Sequence, residues 1–141
     1  MIRRILIPLD GSPTSEVILP AAIRLAHRGG ADVCLVQAEH PLVTEHYAAI
    51  AQISLSGAQE YLLGVGRRFE DEGIATRVFT PLGSPQEAIL RIATQEEVSL
   101  IAMATHGRTG FSRLIRGSVA EQVLRSSRVP VYVVRPPGPG E

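Results

Sequence analysis

The chain has 141 residues, of which 45% are apolar and 20% charged, with a formal net charge of zero and a single cysteine. Such a balance suits one globular domain that buries a core without disulfides, and it excludes a disordered chain. Neutrality leaves no overall basic field for nucleic acid or an anionic membrane surface, and no apolar run is long enough to cross a bilayer.

Taken in chain order, "RRILIPLD" (3–10) is an apolar run stopped by Asp10-Gly11-Ser12-Pro13, which predicts a buried strand ending in a turn. Its basic residues and short apolar stretch fall short of a secretory segment, and no small-residue cleavage site follows, so a cytoplasmic location is expected. "TSEVILPAAIRLAHRGG" (14–30) places Val17, Ile18, Ala21, Ala22 and Leu25 at helical spacing, with Thr14 or Ser15 as cap and Gly29-Gly30 as stop. Pro20 should kink that helix or end its first turn. "ADVCLVQAEH" (31–40) is a second strand, whose Cys34 is expected to be a buried, inert thiol.

A long helical stretch follows over 44–73, stopped by Gly73. "IATRVFTPLG" (74–83) alternates as a near-edge strand does. Helix 84–97 opens with Ser84 as cap, Pro85 at its first position and Glu87 completing a capping box. "VSLIAMAT" (98–105) is a strongly apolar fourth strand, 117–127 the last helix, and "VPVYVVRP" (129–136) the fifth strand, with Pro130 where its missing N–H does little harm. Residues 1–136 then form one domain, and 137–141 a flexible tail. Strands alternating with helices throughout predict an α/β fold: a doubly wound parallel sheet covered on both faces, which binds ligands at the carboxyl ends of its strands.

At that edge lies "MATHGRTGFSRLIRGSV" (103–119), between the fourth strand and the last helix, with three glycines and four hydroxyl side chains. A helix start presents unpaired N–H groups and a partial positive charge that favour phosphate. Gly107 and Gly110 allow an anion to approach the main chain; Gly117 opens the helix, Ser118 adds a hydroxyl, and Arg108, Arg113 and Arg116 add charge. The stretch reads as a cradle for a phosphorylated ligand.

With these residues in place, the chain resembles the universal stress proteins, the UspA-like family, over nearly its whole length, from "ILIPLDGS" through "CLVQAEHP" to "VPVYVVRP". The nucleotide-binding branch carries Gly, two residues, Gly, nine residues, then Gly-Ser or Gly-Thr; here the pattern falls on Ala104, Gly107 and Gly117-Ser118. Alanine at the first position keeps it small and is strained only if a positive φ is needed there. The resemblance implies a five-stranded sheet of order 3-2-1-4-5, of the adenine nucleotide alpha hydrolase-like class. It also implies bound ATP with Mg2+ or Mn2+ carried on the phosphates. Asp10 is then similar to the acid that contacts the adenosine; it also reads as an Asx-type turn residue stabilising "DGSP", and both roles can hold together. Pro8, Leu9 and Ala38 would wall the adenine pocket, with Met103, Ala104, Thr105, Gly107, Arg108, Gly110, Gly117, Ser118, Val119 and Ala120 completing the binding set. The last strand, Val131, Tyr132, Val133 and Val134, would be a sheet edge that pairs with a second copy in a homodimer.

His27, His40, His46 and His106 lack metal-ligand spacing, although His106 falls inside the cradle. "GVGRRF" (64–69) lies in a helical stretch after no strand, so it is no dinucleotide loop. All 14 Lys and Arg positions are arginine, which argues against fast phosphoryl transfer, where a lysine normally holds the phosphates. The expectation is therefore a stress-response binding module whose nucleotide state is read by another protein. Two alternatives stand beside it: a same-fold dimeric interaction module with no nucleotide, and a very slow ATP hydrolase.

Overall fold

The computed structural model describes residues 2–39, 57–105 and 118–137. Five strands are found in them: β1 (Arg4–Pro8), β2 (Asp32–Val36), β3 (Thr76–Phe79), β4 (Leu100–Ala104) and β5 (Val131–Val134). The helices are α1 (Leu19–Gly29), α2 (Gly57–Glu70), α3 (Pro85–Gln95) and α4 (Val119–Ser126), with a 3-10 turn over Ser15–Ile18. The strands form one sheet in the order β3-β2-β1-β4-β5, and every pairing is parallel. This is the doubly wound arrangement expected from the alternation.

Period-two alternation divides the core into two layers. Ile5, Ile7, Val33, Leu35 and Ala102 face one side with Leu19, Ala22, Leu62 and Phe69 of α1 and α2. Leu6, Cys34, Val36, Ile101 and Met103 face the other, against Ile89, Ile92, Ala120 and Val123 of α3 and α4. β1 and β2 are apolar on both faces because helices cover both. β3 and β5 lie at the edges and are only partly buried. Among the described residues no helix is long and apolar enough to cross a membrane.

Local punctuation follows the sequence with four corrections. Gly30 closes α1 in the left-handed conformation, φ 62°, and Gly73 has φ 78° after α2. Pro20 sits in the first turn of α1, where its ring costs no hydrogen bond, so the expected break becomes a 3-10 turn feeding the helix. Neither Thr14 nor Ser15 caps that turn with its side chain; the Ser12 hydroxyl does so instead, accepting from the Ser15 N–H at 3.1 Å. Ser84 is the N-cap of α3, with Pro85 following, but its hydroxyl makes no capping bond and is buried without a partner among the described residues. The capping box with Glu87 is therefore not formed. The second strand is shorter than 31–40, although an isolated Glu39–Leu82 bridge continues its pairing with the chain after β3. The helix expected from 44 is described from Gly57; its 44–56 portion, with His46, lies outside the described residues, as do His40, His106 and 138–141. Gly64 and Gly66 lie within α2, where a Cβ at Gly66 would meet Thr76 at 3.4 Å, so close helix–sheet contact accounts for the second glycine.

Candidate functional site

The site is built from the carboxyl ends of β1, β2 and β4, the turn after β1, and the first turns of α3 and α4. After β1 the chain reverses through Asp10–Ser15. The Asp10 carboxylate accepts from the Ser12 N–H at 2.9 Å and from the Ser12 hydroxyl. The Ser15 hydroxyl accepts from the Asp10 N–H at 3.3 Å and donates to the Ser12 carbonyl at 3.0 Å. Gly11, at φ 87°, provides the left-handed step that this turn requires. The Asx turn is thus formed, and it holds Asp10 exposed at the end of β1.

Behind the turn lies a cavity of about 260 Å³. Pro8, Leu9 and Asp10 of β1 and its turn line it, with Val36, Gln37 and Ala38 from β2 and its extension. Met103, Ala104 and Thr105 contribute from β4, Val119 and Ala120 from the start of α4, Pro85 and Ile89 from α3, and Thr14 and Ser15 from the 3-10 turn. The walls are mostly apolar, with polar groups converging from the turn and from Gln37, a chemistry that suits a flat, partly polar ring.

Of the binding set expected from the sequence, Pro8, Leu9, Asp10, Ala38, Met103, Ala104, Thr105, Val119 and Ala120 meet in this cavity. Ser118 stands beside it as the N-cap of α4, its hydroxyl accepting from the Glu121 N–H at 3.1 Å. Gly107, Arg108, Gly110 and Gly117, with Arg113 and Arg116, lie outside the described residues. Ala104 answers the strain question raised by the motif. It is the last residue of β4, paired with Val134, and Glu97 is the non-glycine residue with positive φ among those described. Alanine costs nothing in that extended backbone.

Sequence reasoning missed Thr14, Ser15, Val36, Gln37, Pro85 and Ile89. Gln37 carried a legible sign, being the first polar residue after the apolar run of β2. Pro85 and Ile89 share a helical face by their spacing of four, yet only the packing of α3 over β2 brings that face to the cavity.

At the rear of the turn the Tyr61 hydroxyl donates to the Glu16 carboxylate, which also meets Arg68 at 3.5 Å. Burial, then the bond to Glu16, pushes the Tyr61 phenol up, so it stays protonated and ties α2 to the turn before α1. The Cys34 thiol lies in the layer beneath α3, and burial pushes it up to about 11 against the opposing pull of Arg4.

The profile of the universal stress protein family matches residues 1–135. The chain belongs to that family. It is 31% identical to universal stress protein MJ0531 of Methanocaldococcus jannaschii, across 96% of this chain and 83% of that one. It is 26% identical to universal stress protein YxiE of Bacillus subtilis, across 96% of this chain and the whole of the other. It spans only 45% of universal stress protein Rv2005c of Mycobacterium tuberculosis, with 30% identity over 136 residues. Among solved structures, hypothetical protein MJ0577 superposes over 98% of this chain and 99% of its own, with a TM-score of 0.81 and 26% identity. A universal stress protein solved in complex with cAMP shares the fold at a TM-score of 0.75 and 19% identity, covering 95% of this chain and 97% of that one.

Proposed function

We propose that this universal stress protein binds an adenine nucleotide, ATP in the first place, across the carboxyl edge of its sheet and acts as a regulatory binding module in the cytoplasm. The observation that carries this reading is the cavity itself. An apolar, ring-sized recess opens between β1 and β4 directly beside a capped helix start, on the edge where doubly wound sheets take nucleotides. The cAMP complex of a protein with this fold supports the choice of adenine.

At about 260 Å³ the recess is slightly under the usual range for ligand pockets, roughly 300–1,000 Å³, and fits a base with its sugar rather than a whole triphosphate. Pro8, Leu9, Val36, Ala38 and Met103 sandwich the base, and Asp10 receives the ribose. Thr105, Ser118 and the first-turn N–H groups of Val119 and Ala120 meet the phosphates, with Gly107, Arg108, Gly110 and Gly117 completing the cradle. Mg2+ or Mn2+ bound to the phosphates would screen their charge.

The second part of the proposal is a homodimer through β5. That strand is a sheet edge with Tyr132 41% exposed, and an exposed edge of this kind pairs with another chain unless it is guarded, here antiparallel with a second copy. Nucleotide in the cleft between β1 and β4 then lies one strand from the interface, a short path by which occupancy alters a surface that a downstream protein reads.

Mass spectrometry of small molecules released from denatured, freshly purified protein, followed by calorimetric titration with ATP, ADP and AMP, tests the reading. Co-purified adenine nucleotide, or saturable heat on titration, is expected. Protein that carries none and gives no heat at high concentration overturns it in favour of an interaction module of the same fold.

A further inference from the structure

The cavity wall carries a polar group that none of the described residues uses. The side-chain oxygen of Gln37 is buried and has no hydrogen-bond partner among the described residues. Such an oxygen costs stability, and its position is not accidental slack. The backbone of Gln37 is clamped by the sheet: its N–H donates to the Phe79 carbonyl at 3.1 Å, and the preceding Val36 carbonyl accepts from the Leu9 N–H at 2.9 Å. Its side-chain nitrogen lies under the β1–α1 turn, 3.9 Å from where a Cβ on Gly11 would stand. The amide therefore sits between β2 and the turn carrying Asp10, on the wall of the cavity.

We infer that Gln37 is the specificity-determining residue of the nucleotide site, its Oε1 accepting a hydrogen bond from a donor on the nucleoside. The inference rests on the nucleotide reading above and adds to it the atom that distinguishes one nucleoside from another. A buried acceptor rewards a ligand that brings an N–H or O–H and penalises one that brings a second acceptor or nothing. Two groups of ATP carry that chemistry, the exocyclic amine of the base and a ribose hydroxyl. Much of the wall is apolar, while the Asp10 carboxylate on the turn offers a ribose hydroxyl a second acceptor.

Gln37→Met is close in length and removes both polar atoms, and Gln37→Glu keeps an acceptor at the same reach. Affinities of wild type and both variants are measured by calorimetry for ATP, for inosine triphosphate, which has a ring carbonyl in place of the amine, and for 2′-deoxy-ATP. Q37M should weaken ATP by about three- to tenfold, the worth of one neutral hydrogen bond. It should leave one analogue unweakened, inosine triphosphate if the amine is read and 2′-deoxy-ATP if the ribose is. Q37E should keep the wild-type ratio between ATP and that analogue. Ligand-free Q37M should melt no lower than wild type, since an unpaired buried acceptor has been removed. Equal losses for all three nucleotides, an unchanged ATP affinity, or a Q37M protein that melts several degrees low overturns the assignment. Wild type that binds none of the three overturns the nucleotide reading itself, which is a separate result.

Discussion

Ser118 offers a way to separate what the start of α4 does for the fold from what it does for a phosphate. Its hydroxyl accepts from the Glu121 N–H at 3.1 Å and so satisfies one of the N–H groups that a helix start leaves unpaired. α4 is only eight residues long and buries Ala120 and Val123, so the cap is a sizeable part of what holds it. Ser118→Ala should cost about 1 kcal/mol, within the 0.5–2 kcal/mol found for lost caps, which for a chain of this size lowers the melting temperature by about 3–5 °C. Ser118→Asp should hold stability within about 0.5 kcal/mol of wild type, because aspartate caps as well as serine and favours the positive helix pole. Nucleotide should respond in the opposite order. A carboxylate about 5 Å from a phosphate charge raises the energy by about 1 kcal/mol in bulk water and about 3 kcal/mol at a protein surface. S118D should therefore bind ATP roughly five- to a hundredfold more weakly and S118A only a few-fold. Thermal unfolding by circular dichroism and calorimetric titration give the two readouts on the same samples. An S118D protein that melts normally and binds ATP like wild type would show that no phosphate sits at this helix start.

Four further outcomes follow from the packing. Phe69 is fully buried between α2 and the sheet, so Phe69→Ala should destabilise the protein by about 3–5 kcal/mol, read from urea denaturation with the slope unchanged. Cys34 is raised from 9.0 to about 11, so the folded state holds its proton where the unfolded state releases it. This contribution to stability is complete below pH 9 and is lost as pH rises from 9 through 11, and Cys34→Ala should flatten that fall in a pH series of melts. In native protein at pH 8 the thiol should resist a disulfide reagent that modifies it at once in denaturant. Val133→Lys, at the β5 edge, should convert a dimer to monomer by light scattering at micromolar concentration without a large change in melting temperature; a monomeric wild type would refute the pairing.

Much of the architecture was legible because its causes are local. Runs such as "ILIPL" and "DVCLV", apolar on both faces, require helices on both sides of the sheet. Gly30 ends α1 because a left-handed residue is needed there. The resemblance carried by "ILIPLDGS" and the Ala104–Ser118 spacing led to the strand order and to most of the cavity wall. Ala104 itself needed the backbone: only its place in the β4 ladder shows that it is unstrained.

What tertiary structure alone decided was which side chains from distant segments share a space and which hydroxyl satisfies which donor. Ser12, not Thr14 or Ser15, caps the turn after β1, because the Asx turn on Asp10 aims it there. Ser84 stands at a good capping position, yet its hydroxyl is unpaired among the described residues. Val36, Gln37, Pro85 and Ile89 reach the cavity through the register of β2 beside β1 and the seating of α3 over β2. Periodicity tells which face of an element is buried, since burial along one element repeats with its own geometry. The meeting of one element's end with another's is set by pairing between residues far apart in the chain, and the Gln37 oxygen, unpaired among the described residues, came to light only there.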